Sequence, residues 1–499
     1  MNLTSNSRVA RYLAMSGLLL IAGCVVGPNF KKPPAPDVGG YTTTPLSGTS
    51  STAGIAGGEA QHFVRRIDIP GQWWALFHSQ PLNDLIERSL RANHDIKAAQ
   101  AALKVVRENV LAQKGAFYPS VSGTFSASRH KTSQEISPFT ASGALYYSLY
   151  TPQVSVSYVP DVFGLNRRTV ESLQAQADQA SFAVIASYIT LSSNVVAAAV
   201  QEASLRAQID TTRQLIANSS NLVQVVRNQL AKHTATRADL AAQESQLAQL
   251  TATLPPLLNQ LAQQRDLLTA LSGGFPNQEL AEKFELSDLR LPRELPVSLP
   301  SRLVEQRPDV RQAEENMHSA SALIGVAVAD RLPSFNLTGD AGTMALTAAK
   351  MFSAGAGFWD LGASATQPIF QGGTLLHKER AARAAYVQAA EQYRTAVITA
   401  FQNVADALNA LQRDADAWNA TAAAADAAKV TVALTRRQVE MGGVGETSQL
   451  GLLNAEQAYQ QALLNLIQAR ANRYADTAAL FQALGGGWWN RSDFAKIDN

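Results

Sequence analysis

The lone cysteine, Cys24, is the residue whose setting points most directly to a covalent reaction. It follows Ile21-Ala22-Gly23, at the end of a segment that carries Arg8 and Arg11 and then an apolar run from Leu18 to Ala22. This is the layout of a bacterial signal peptide ending in a lipoprotein cleavage box: small side chains fit the peptidase groove, and the thiol accepts a diacylglyceryl group. The sequence therefore predicts removal of residues 1–23 and acylation of Cys24, with palmitate among the chains attached. Val25, where an aspartate would signal retention at the inner membrane, resembles the pattern for outer-membrane sorting. A buried cysteine closing an ordinary signal segment is the competing reading. Cleavage removes two positive charges and leaves equal numbers of basic and acidic residues.

The other reactive side chains lack the spacing that chemistry needs. A single cysteine excludes an internal disulfide and any Cys-rich metal site. The seven histidines, at 62, 78, 94, 130, 233, 318 and 377, form no H-x-x-x-H pair or other ligand spacing. No G-x-S-x-G element is present. Asp309, Glu314 and Glu315 follow Arg307-Pro308 and suit the preference of a helix N-terminus for acidic groups better than an acid–base pair. A formal charge of +2 without a basic run, and without an RNP, zinc-finger or phosphate-cradling motif, argues against nucleic acid as a partner. The residues thus imply no enzyme, no metal and no cofactor.

What positions these groups is long helix. Between Arg167 and Lys232 there is no proline or glycine, and apolar residues recur at three- and four-residue steps from Val195 to Leu230. Such a rod is roughly 100 Å long at ~1.5 Å per residue, too long to fold into a globular core, so it must pack beside others in a barrel or bundle. The run turns near Lys232 to Arg237 and returns to Leu271, broken at Pro255-Pro256. A similar run recurs from Gly373 to Leu484. Shorter helices are expected over 81–117 and 301–331.

Between the helices the period changes to two. Polar and apolar residues alternate over 120–128, 153–158, 335–341 and 359–366. These lengths approach the ~9 to 11 residues of a transmembrane β-strand, with apolar groups outward and hydroxyls inward. Four strands cannot close a barrel, since single-chain barrels begin at about eight, and an open edge is not tolerated in lipid. The chain must then oligomerise, unless this is a half-buried sheet of a soluble protein. On the membrane reading, Val121, Phe125, Val154, Val156, Leu337 and Leu361 face lipid.

The halves repeat. Tyr118-Pro119-Ser120 corresponds to Leu332-Pro333-Ser334, and Leu268 to Gly274 mirrors Phe481 to Gly487. The predicted layout is a signal peptide (1–23), an acylated strap (24–80) whose Gly/Ser/Thr-rich tract to about Gly58 is poorly structured, a first repeat (81–274), a link (275–300), a second repeat (301–487) and a tail (488–499).

In this order the motifs resemble those of the TolC-like outer-membrane efflux factors, and more closely the OprM/NodT-type lipoproteins, over nearly the whole chain. They are C-V-V-G-P-N-F-K-K-P from Cys24, W-W-A-L-F from Trp73, L-P-P-L from Leu254 and R-P-D-V-R-Q-A-E from Arg307. I-G-V-A-V-A from Ile324, Q-P-I-F-Q-G-G from Gln367 and L-L-N-A-E-Q-A from Leu452 complete the set. The resemblance implies a mainly α fold with a small transmembrane β part. Three copies, each internally duplicated, would form a long α-helical barrel and a 12-stranded β-barrel, with a mixed belt near 275–300 and the C-terminus.

It also implies a homotrimeric multidrug-resistance or metal-efflux duct in outer-membrane lipid, served by a periplasmic adaptor and an inner-membrane pump of RND type. A type I protein-secretion duct and a non-transporting coiled-coil lipoprotein are the alternatives; the lipid anchor disfavours the first, and strand pairs inserted between helices disfavour the second. Because the strands occupy one end of the long helices, the helix-to-helix turns lie at the other. Their residues His233, Thr234, Gly442, Gly443 and Val444 are expected to dock the adaptor. The family closes its pore with a D-x-x-D or L-L-D-A pattern whose counterparts here are Gly451 and Asn454. Asn454 would line the gate with neutral amides or serve as an interhelical contact, and Glu446 or Glu456 could restore an acidic ring.

Overall fold

The computed structural model describes residues 25–51, 57–64, 67–133, 135, 145–440 and 446–492, and for 440 and 446–450 the backbone alone. The chain divides into two compact units. One holds Met1–Pro33, Ala102–Ala180 and Ala313–Tyr393; the other holds Pro34–Ala101, Ser181–Gln312 and Arg394–Asn499.

In chain order the elements are β1 (His62–Val64), α1 (Gln80–Ala92), α2 (His94–Lys114), β2 (Ser120–Lys131), β3 (Tyr146–Tyr158) and α3 (Leu165–Ala231). Then come α4 (Arg237–Ala252), α5 (Leu254–Leu271), β4 (Glu294–Pro296), α6 (Pro300–Gln306) and α7 (Pro308–Ala329). The chain continues through β5 (Ser334–Thr343), β6 (Gly357–Thr366), α8 (Thr374–Glu440) and α9 (Glu446–Ala483).

The first unit is built on one antiparallel sheet of order β2-β3-β5-β6. Its strands are 12, 13, 10 and 10 residues long, so all four outrun the alternating stretches legible in the sequence.

In the second unit the long helices turn back on themselves. Arg227 on α3 reaches Glu244 on α4 at 2.6 Å, and Glu202 on α3 takes Arg265 on α5 at 2.9 Å, so α4 and α5 run back along α3. Arg436 on α8 reaches Glu456 on α9 at 3.0 Å in the same manner. Proline sets the breaks. Pro255 and Pro256 open α5, and Pro308 opens α7, because a ring nitrogen cannot donate and a helix's first turn needs no donor.

Two expected helices are therefore split. The 301–331 helix breaks at Arg307, held extended (φ −86°, ψ 116°) by the proline that follows. Its guanidinium grips Asp309 at 2.8 and 2.6 Å and the Ala483 carbonyl at 2.8 Å, which makes Asp309 a structural partner. The 81–117 helix breaks at Asn93, whose Oδ1 accepts from the amides of Asp95 (2.9 Å) and Ile96 (3.3 Å) while Nδ2 donates to the Leu271 carbonyl at 3.2 Å. A short amide side chain can outbid the helix for backbone donors.

Inside the tract expected to be loose, Tyr41 donates to the Ser298 carbonyl at 2.9 Å and the Thr49 amide to the Gln61 carbonyl at 2.8 Å; beyond it, β1 pairs in parallel with β4. Trp73 and Phe77 are fully buried, with Trp73 stacked on Phe481 at 5.2 Å, a contribution of about 1.5–3 kcal/mol per ring from burial. This aromatic cluster is part of the core. The 275–300 link likewise buries Leu280, Phe284, Leu286, Leu289, Leu291 and Leu295.

The duplication survives down to the helix caps, shifted by one residue from the sequence match. Gly273 (φ +79°) and Gly485 (φ +94°) occupy the same left-handed position, and the next residue's amide bonds back to Thr269 in one half and Phe481 in the other. One stretch of α3 is apolar enough to cross a membrane by length and composition, but 61% of it is buried inside the protein.

Candidate functional site

The β-sheet separates its residues by chemistry. Cross-strand partners Val121 and Val156, Val156 and Gly339, and Gly339 and Leu361 set one face. All six residues expected to meet lipid (Val121, Phe125, Val154, Val156, Leu337 and Leu361) lie on it, together with Phe335 and Trp359, and all six are exposed in the single chain. The opposite face carries Ser120, Ser122, Thr124, Ser126, Gln153, Ser155, Ser157, Asn336, Thr338, Asp340, Asp360 and Ser364. There Ser155 donates to Asp340, and Ser157 donates to Asn336 at 3.1 Å. One face thus suits hydrocarbon and the other water, the division a wall between lipid and an aqueous lumen requires.

The turn between α3 and α4 is closed by its own backbone. His233 sits in the left-handed region (φ +59°), its amide bonding to the Leu230 carbonyl and that of Thr234 to the Gln229 carbonyl. Histidine is among the non-glycine residues found there more often than average. Thr236 then caps α4 in a reciprocal box with Asp239. The turn presents His233 and Thr234 outward, both exposed. Its counterpart, with Gly442, Gly443 and Val444, lies outside the described residues, as does Cys24.

On α9, Asn454 is exposed while Leu452 is fully buried, so α9 turns Asn454 away from its packed face. Gly451 has room for a methyl, which would meet Thr435 Cγ2 at 3.8 Å. The Glu456 side chain is 17% exposed and paired with Arg436 at 3.0 Å. The Glu446 side chain lies outside the described set.

The sequence did not reveal how the residues after Cys24 are held. Arg168 donates to the carbonyls of Val26 (3.0 Å) and Gly27 (3.2 Å), to Asn29 Oδ1 (2.8 Å) and to Glu171 (2.7 Å). Gly27 (φ +89°) crosses Gly325 so closely that a Cβ would fall 2.4 Å from the Gly325 Cα. Phe30 stacks on His318 at 4.4 Å, and His318 is bridged by Glu315 (3.3 Å) and Glu171 (3.2 Å). The Glu315 carboxylate, then Glu171, hold the imidazole above its ordinary value against the opposing effect of burial. Scattered in sequence, these residues had no spacing to betray them; the nearest signal was the His318 and Glu315 pair on one helix face.

The family described as outer membrane efflux protein matches residues 85–274 and 299–486. The chain is 27% identical over 485 residues to the toluene efflux pump outer membrane protein TtgC of Pseudomonas putida, covering 97% of this chain and 96% of that one. It is 28% identical over 498 residues to the pyoverdine export outer membrane protein OpmQ of Pseudomonas aeruginosa, covering 97% and 100%. Among solved structures, the outer-membrane channel OprN superposes with a TM-score of 0.82 at 24% identity, over 93% of this chain and all of that one. The two-faced sheet, the duplicated helical hairpins and these matches agree: the chain belongs to the outer membrane efflux protein family and is the outer-membrane channel component of an efflux system.

Proposed function

We propose that three copies of this chain close their sheets into one 12-stranded barrel and their helices into a periplasmic duct. Through it small molecules pass from a periplasmic adaptor and an inner-membrane pump of RND type to the outside. The observation that carries this reading is the sheet, with a lipid-compatible face, a hydroxylated face and two edges that one chain leaves at the ends of the order β2-β3-β5-β6. An edge in hydrocarbon costs several kcal/mol per unsatisfied backbone group, so closure by further copies is the stable solution. Toluene and pyoverdine in the relatives' names support a small-molecule cargo. In this reading residues 1–23 are removed, acylated Cys24 adds a lipid anchor, and residues 24–80 form a docked strap. Residues 81–274 and 301–487 are the two repeats, 275–300 a packed link and 488–499 the tail. His233 and Thr234, with Gly442, Gly443 and Val444, dock the adaptor, and Gly451 and Asn454 line the closing end. The reading requires no reaction at the protein.

Reconstitution tests it. The purified protein should have the mass of three chains and give stepwise conductance in planar bilayers. Phe125→Arg, at the middle of β2, should reduce assembly, since a cation at the mid-plane of a barrel's lipid face costs about 2–4 kcal/mol. A monomer without conductance, or unimpaired assembly of the arginine variant, would refute it.

A further inference from the structure

We propose that the segment leaving β6 is an inter-copy wedge, in which Ile369 and Phe370 seat against Leu111 and Tyr118 of the next copy and seal the ring where strands give way to helices. This rests on the trimeric reading above and identifies contacts that reading leaves open.

Strand order and direction choose the partner. β2 and β6 are the two edges, and because each neighbouring pair is antiparallel they run in opposite senses. Closing the ring therefore sets the exit of β6 beside the entry of β2 in the next copy. At that exit Pro368 cannot extend the ladder. Gln367 Nε2 donates to the carbonyls of Arg331 (3.0 Å) and Pro368 (2.8 Å), which fixes the base of the segment. Gly372 (φ +58°) and Gly373 (φ +86°) turn the chain into α8. Between these pins Ile369 is 95% and Phe370 88% exposed. Apolar side chains held out in this way mark a contact surface.

The opposite side matches. Leading into β2, Leu111 near the end of α2 and Tyr118 just before the strand are exposed at 59% and 74%. Further along the chain, Leu376 and Val387 are exposed on one face of α8, which would continue the seam beside the same neighbour. A second copy is the only partner whose position the strand order dictates; lipid at the same level is the rival occupant.

Cross-linking separates them. Cys24 is the only native cysteine, so Phe370→Cys with Tyr118→Cys can be treated with a short bis-maleimide in the assembled protein. Covalent dimers and trimers are expected from the double variant and from neither single one. In vesicles, F370C should resist a membrane-partitioning maleimide and react once the assembly is dissociated. Labelling of assembled F370C as fast as of V156C would hand the position to lipid and overturn the wedge. A trimeric double variant without covalent bands would overturn it too, leaving the trimer standing. A monomeric unaltered chain would sink both readings.

Discussion

Raising the pH should loosen the segment after Cys24 through one imidazole. Both ring nitrogens of His318 face carboxylates, Glu315 at 3.3 Å and Glu171 at 3.2 Å, and carboxylates only accept, so both nitrogens donate and the bound ring is the cation. Arg168 shares Glu171 from the other side, and Lys32 approaches Glu314 at 3.9 Å. The folded value is raised above the unfolded one of about 6.5. The stabilisation is therefore fully present below about pH 6.5 and is lost as pH rises through the higher folded value. A hydrogen bond to a charged partner is worth about 1.5–3 kcal/mol when buried. With the side chain 27% exposed, solvent screening lowers the sum to about 1–2 kcal/mol. That corresponds to roughly a tenfold change in opening of the segment. Hydrogen exchange of residues 25–33, corrected for intrinsic rates and compared between about pH 5.5 and about pH 8.5, reads it directly. Protection should fall about tenfold in the native protein and stay low and constant in His318→Gln. Equal native protection at both pH values, or a pH dependence that survives the substitution, would refute the reasoning.

Other tests reach the helices. Burial and then a hydrogen bond to Asp476 push Asp414 up to about 7, so its contribution is intact below its unfolded value and lost as pH rises through about 7. Asp414→Asn should raise the thermal midpoint at about pH 8 and leave it unchanged near pH 4. Gly451→Ala should stabilise α9 by about 1 kcal/mol, because among the described residues its methyl meets only Thr435 at 3.8 Å; a lower thermal midpoint would show that glycine is needed there. Multivalent cations applied from the periplasmic side should block native single-channel current weakly and Asn454→Asp strongly; no gain of block would remove Asn454 from the gate.

The sequence by itself determined the long rods, the alternating strands and their duplication. Each depends on a local rule: absence of helix breakers over Arg167 to Lys232, period two in Val154-Ser155-Val156, and proline before each first strand of a pair. It also set which face of the sheet is apolar, because pairing in register carries the alternation from Val121 through Val156 to Leu361. Tertiary structure decided what depends on distant partners. The tract to about Gly58 reads as loose from its composition, yet Tyr41 finds Ser298, and beyond it β1 finds β4 and Trp73 finds Phe481, partners more than two hundred and, for Phe481, four hundred residues away. Asn93 ends a helix because a carbonyl from Leu271 is there to receive its amide, and Glu456 is paired because Arg436 comes to it from another helix. Composition and period act between neighbours along the chain, whereas burial and charge pairing act between neighbours in space, and only folding makes those the same residues.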